Sequence, residues 1–182
     1  MRSLLFVSLA LALPVAAAAE PFAKPLQQTC AQLQREGWTA PLNLRTQKPG
    51  KPEISVAGKI YMCTLMHALP HTGAGHAPDL QALLLDEQKG TTIVLSANIW
   101  CTADRTKTLD ALAKQLESTV GKVPEPISSA IRAAKDADAT AAGLSFEVRP
   151  VDVDPGACDN VPAGQLGPVL LTIDVQVKPA KR

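Results

Sequence analysis

The chain has 182 residues, of which 46% are hydrophobic and 19% charged, with a formal net charge of +1 at pH 7. Its basic residues are scattered apart from a short tail, Lys178, Lys181 and Arg182; that excludes the clustered basic patch needed for nucleic acid or anionic lipid. Aromatic residues make up 3%, too few for the stacked platforms that hold bases or sugars.

The first residues read as an export signal. Arg2 is followed by an apolar stretch from Leu4 that collapses into Ala16, Ala17, Ala18 and Ala19 before the first acid, Glu20. A charged start, a short apolar centre and an A-x-A end fit a signal peptide cut before Glu20. The segment is shorter than the ~20 apolar residues a spanning helix requires, and Pro14 interrupts it. The first cysteine is Cys30 and Arg2 stands alone, so neither a lipoprotein nor a twin-arginine signal is indicated. The expected organisation is residues 1–19 as signal and 20–182 as one domain, periplasmic or secreted, with no stable membrane anchor.

Cys30, Cys63, Cys101 and Cys158 are widely spaced and form no C-x-x-C, which argues against a redox dithiol or a zinc knuckle. An even count in an exported chain reads as two disulfides. Cys30 shares a helical face with Leu26 and Leu33 and should point into the core. The favoured pairing is therefore Cys30–Cys63 and Cys101–Cys158, although spacing alone leaves three connectivities open.

In chain order, Leu26, Cys30 and Leu33 recur at helical spacing and Gly37 supplies a stop. Residues 38–52 contain Pro41, Pro49, Gly50 and Pro52 and read as a loop. Residues 53–66 alternate as one strand, with Ile54, Val56, Ile60 and Met62 on the apolar face and Ser55, Lys59, Tyr61 and Cys63 on the other; Gly58 is a candidate bulge. Residues 80–85 and 92–100 follow as two strands, the first with a short helix as its alternative. Leu109, Leu112, Ala113, Leu116 and Val120 mark an amphipathic helix that stops at Gly121 and Pro124. A second helix starts at Pro126 and buries Ile127, Ala130, Ile131 and Ala134. The Ala/Asp run to Thr140 reads as a linker. Leu144, Phe146 and Val148, then Val169, Leu171, Ile173, Val175 and Val177, alternate as the last two strands. The expected fold class is α+β: a two-layer sandwich with a mainly antiparallel five-stranded sheet, in the order α-β-β-β-α-α-β-β, and helices packed on one face.

One cluster carries chemistry in outline. His67, His71 and His76 are the chain's three histidines; Met62 and Met66 precede them and Asp79 follows. Imidazole and thioether suit zinc or copper, and the loop through Gly73 and Gly75 would let His71 and His76 turn toward one ion. The spacing matches no defined metal motif. The plain alternative places Met62 and Met66 in the core and the histidines on a solvated loop. Asp152, Asp154, Asp159 and Asn160 surround Cys158, but Gly156 stands at a ligand position and no glutamate closes a calcium loop. A turn braced by a disulfide accounts for them. G-x-S-x-G, S-x-x-K and glycine-rich phosphate loops are absent from the sequence. The functional expectation is a non-catalytic exported binding or interaction module whose partner is another exported protein or a small ligand. The alternative is a metal-handling protein or metal-dependent enzyme using His67, His71, His76 and Asp79 with zinc or copper.

Overall fold

The computed structural model describes residues 22, 24–43, 46, 48–70, 77–88, 90–101, 104–152, 158 and 169–180. Within them the elements run α1 (Leu26–Arg35), β1 (Glu53–Val56), β2 (Ile60–Ala68), β3 (Asp79–Glu87), β4 (Gly90–Trp100), α2 (Arg105–Val120), α3 (Glu125–Ala133), β5 (Ala137–Ala141), β6 (Leu144–Asp152) and β7 (Val169–Pro179). The fold is α+β, with three helices on an antiparallel sheet.

Local chemistry sets the helix ends. Pro25 precedes α1 and its carbonyl accepts the first amides, from Gln28 and Thr29. Asp104 caps α2 by accepting from the Lys107 N–H at 3.1 Å, and that bond holds its carboxyl below the usual carboxylate value. Helices α1 and α3 finish with the same paired hydrogen bonds. Trp38 N–H reaches Leu33 O and Gly37 N–H reaches Gln34 O; Lys135 N–H reaches Ala130 O and Ala134 N–H reaches Ile131 O. The left-handed residue of the α1 ending is Gly37 at φ 92°, whereas that of the α3 ending is Ala134 at φ 50°. An L side chain there is disfavoured. Ala134→Gly should therefore raise the unfolding free energy by about 1 kcal/mol, read from the urea midpoint; a loss of stability would show that the Ala134 methyl packs too well to give up.

Among the described residues the sheet has seven strands, not the expected five, in the order β1-β2-β3-β4-β7-β6-β5 with every neighbour antiparallel. Two meanders, β1 to β4 and β5 to β7, meet where β4 pairs with β7, and α2 and α3 form the connection. The single strand expected over 53–66 is a hairpin. Ala57 and Gly58 both have positive φ, 45° and 67°, and Lys59 N–H closes the turn on Val56 O at 2.8 Å. The expected linker before residue 141 is strand β5, tied to β6 by a two-residue reversal at Ala142 and Gly143 with φ of 51° and 77°. Residues 79–87 are strand, not helix.

One face of the sheet is covered. Register runs Cys63–Leu84–Ile93–Val177–Phe146 across five strands, and all five side chains are buried. They share one hydrophobic core with Leu26 and Leu33 of α1, Leu109, Leu112 and Leu116 of α2, and Ile127 and Ile131 of α3. Burying each such side chain contributes roughly 1.5–3 kcal/mol. Cys30 and Cys63 form a disulfide that pins α1 to β2, with Cα atoms 6.3 Å apart. Cys101 and Cys158 form a second, with Cα atoms 5.3 Å apart. Among the described residues the other face of the sheet carries no helix.

Candidate functional site

Of the sequence-derived candidates, the two within the described residues, His67 and Asp79, do not converge. His67 and Asp79 stand on neighbouring strands but one register position apart: His67 pairs with Leu80, and Asp79 pairs with Ala68. Side chains alternate along a strand, so His67 shares the helix-side face with buried Leu80, and Asp79 lies on the open face. The His67 ring stacks on Trp38, with centroids 5.3 Å apart and planes at 21°. Asp79 accepts hydrogen bonds from Asn98 at 2.9 Å, Gln81 at 3.2 Å and the Trp100 indole at 3.4 Å. Asn98 in turn accepts from Thr172 at 3.1 Å. That network orders the open face where β3, β4 and β7 adjoin. His71 and His76 lie outside the described residues, as do Asp154, Asp159 and Asn160. Among the described residues no group of three His, Cys, Asp or Glu stands where it could hold a metal ion.

A different site emerges from the β1–β2 hairpin, and it reverses an expectation. The face of β2 turned to the core carries Tyr61, Cys63 and Leu65, all buried. Ile54, Val56, Ile60 and Met62 face the open side instead. Ile54 is 48% exposed, Val56 51% and Ile60 39%. Register places Ile54 beside Met62 and Leu85, Val56 beside Ile60, and Leu83 beside Val94. Met62, Leu83, Leu85 and Val94 are half-buried. The result is an apolar stripe running from the β1 edge across four strands of a face that no helix covers among the described residues. Met66, also expected in the core, lies half-buried on this same face.

The stripe ends on an open strand edge. Thr64 N–H donates to Pro52 O at 2.9 Å, which makes that position a hydrogen-bonded pair. In an antiparallel ladder such pairs alternate, so Ile54 and Val56 turn their backbone groups toward β2. The N–H and C=O groups of Glu53 and Ser55 consequently point outward. The opposite edge is defended differently. On β5 and β6, Arg149 bonds Asp138 and Glu147, each at 2.8 Å, with Asp136 4.0 Å away. These carboxylates raise the Arg149 guanidinium pKa, Asp138 most of all, and charge on an edge strand discourages further pairing.

No protein-family model matches the chain, and searches of curated proteins and of solved structures return no significant match.

Proposed function

We propose that this protein is a non-catalytic, exported interaction module that docks an extended polypeptide segment of a partner against β1 and the apolar stripe beside it. The observation that carries this reading is the pairing of uncovered Ile54, Val56 and Ile60 with an edge strand whose backbone groups point outward. Strand addition supplies main-chain hydrogen bonds, and alternate side chains of the added strand meet the apolar face. Glu53–Val56 is short and Pro52 precedes it, so the ladder adds few bonds and the stripe must provide most of the affinity. The export half of the reading rests on the Arg2 to Ala19 segment, and the two disulfides are compatible with a periplasmic or extracellular location.

Peptides selected from a random display library against the purified protein test the docking. Selected peptides should alternate apolar and polar residues and should slow hydrogen exchange at the Glu53 and Ser55 amides. Ile54→Asp/Val56→Asp should weaken them at least tenfold, while Thr140→Asp on the far edge leaves them unchanged. Peptides that bind this variant as well as the parent, or that protect β5 instead, would remove the proposal.

A further inference from the structure

The Cys30–Cys63 bond has a charged neighbour. Register sets Glu53 of β1 directly opposite Cys63 of β2 on the helix-covered face, and Glu53 Oε1 stands 3.4 Å from the Cys30 sulfur. A disulfide sulfur carries no proton to donate, so this is a contact and not a hydrogen bond. A second observation places the same charge over the same part of the core. Tyr61 lies two residues before Cys63 on the same buried face, and Glu53 adds like-charge repulsion to its phenolate.

Exposure gives the contact a direction. Cys30 and Cys63 are both buried, whereas Glu53 is exposed on the edge strand. Its side chain therefore runs from solvent to sulfur, and its carboxylate lies between the disulfide and the β1 edge. Reduction by a small thiol starts with attack of the thiolate on one sulfur. The S–S bond breaks, the other sulfur leaves as a thiolate, and a second thiol molecule resolves the mixed disulfide. Two reductant thiols thus become one disulfide while Cys30 and Cys63 become thiols. The incoming and the departing sulfur both carry negative charge, so a carboxylate touching the bond opposes the step at both ends.

We propose that Glu53 is an electrostatic guard of the Cys30–Cys63 disulfide, slowing its reduction by thiolates and slowing anionic thiols most. The bond it guards pins α1 to β2 and fixes which face of β2 is turned to the core. The guard acts whatever partner the β1 edge takes and does not depend on the docking reading.

The test compares three reductants that differ in charge. Glutathione, 2-mercaptoethanol and cysteamine have thiolate forms that run from doubly negative through singly negative to net neutral. The purified, fully oxidised protein is mixed with each at one pH and ionic strength, quenched by alkylation and mapped by mass spectrometry, which reads the two disulfides separately. Glu53→Gln should speed reduction of Cys30–Cys63 by glutathione at least about threefold, by 2-mercaptoethanol less and by cysteamine least. Added salt should shrink the difference. Any opening motion that the buried bond requires is common to the three reagents, so the order of the accelerations reports charge and not stability. Cys101–Cys158 in the same molecules lies about 25 Å along β4 from the row of Cys63 and should keep its rate. Glu117→Gln, which removes an exposed carboxylate of α2, should keep the parent's rates. Equal acceleration with all three thiols would mean that the substitution merely loosens the sheet edge. An unchanged glutathione rate would mean that the carboxylate has moved away before the thiolate arrives. Either result, or a matching change at Cys101–Cys158, would overturn the proposal.

Discussion

Replacing Cys30 and Cys63 by serine should destabilise the protein more than replacing Cys101 and Cys158, although the second pair closes the longer loop. The separations are 33 and 57 residues. In the chain-entropy model each cross-link then contributes about 4 kcal/mol, with the longer loop slightly ahead. Burial reverses that order. Cys30 and Cys63 are both 0% exposed, whereas Cys101 and Cys158 are half-buried. Two serine hydroxyls placed in the core would each lose water, at roughly 1–3 kcal/mol where no partner is found. The expected losses are about 4 kcal/mol for Cys101→Ser/Cys158→Ser and about 6 kcal/mol or more for Cys30→Ser/Cys63→Ser. Most single domains have only 5–15 kcal/mol to lose, so the second variant should be largely unfolded at body temperature. Urea unfolding of both variants at matched pH checks the ranking. Equal losses, or a larger one for the Cys101–Cys158 pair, would mean that loop closure alone governs both bonds.

The same core cysteine explains which parts of the fold were legible in the sequence. Helix α2 was readable because Leu109, Leu112, Ala113, Leu116 and Val120 fall on one stripe, and all five are buried. Strand β7 was readable because Leu171, Ile173, Val175 and Val177 alternate with polar neighbours, and all four are buried. On β2 both faces are apolar, with Ile60 and Met62 on one side and Tyr61, Cys63 and Leu65 on the other, so hydrophobicity alone does not say which is inside. A cross-link from the buried face of α1 to Cys63 does say it. Cys63 must then face the core, and Tyr61 and Leu65 with it, which turns Ile54, Val56, Ile60 and Met62 outward. The apolar stripe thus had a signal in the sequence, but one that needs the disulfide and the alternation read together.

Other elements left weaker traces. The reversal at Ala57 and Gly58 lacks the Asn-Gly or Asp-Gly pair that usually marks a tight hairpin, and without a turn there residues 53–66 read as one strand. The second such reversal, at Ala142 and Gly143, has the same composition. Strand β5 consists of Ala137, Asp138, Ala139, Thr140 and Ala141 and lacks the β-branched apolar residues that signal a strand. It pairs because β6 lies alongside it and α3 covers it, a tertiary cause that local sequence does not carry. Alternation puts Tyr61 on the polar face of its strand, whereas it is buried in the core shared with the helices, and no spacing reveals that.

That tyrosine also dictates the alkaline limit of the fold. Tyr61 should titrate at about 12 in the folded protein, up from an ordinary value of 10.0, because burial disfavours the charged phenolate and Glu53 adds like-charge repulsion. The folded state therefore binds this proton more tightly than the unfolded chain does. Its contribution to stability is fully present below pH 10 and is lost as pH rises through 12. A gap of two pKa units corresponds to about 3 kcal/mol. With one tyrosine in the chain, tyrosinate absorbance follows this group alone, and the curve should return to the ordinary value when the protein is unfolded in urea. Tyr61→Phe removes the proton and with it that part of the alkaline loss; lysine titration is common to both proteins and cancels in the comparison. At neutral pH the same variant sheds a buried hydroxyl that has no partner among the described residues and should be no less stable than the parent. Glu53→Gln should lower the Tyr61 midpoint by less than half the gap, since burial is the larger cause. A midpoint near the ordinary value in the folded protein, or parallel alkaline losses in parent and Tyr61→Phe, would show that the hydroxyl reaches water.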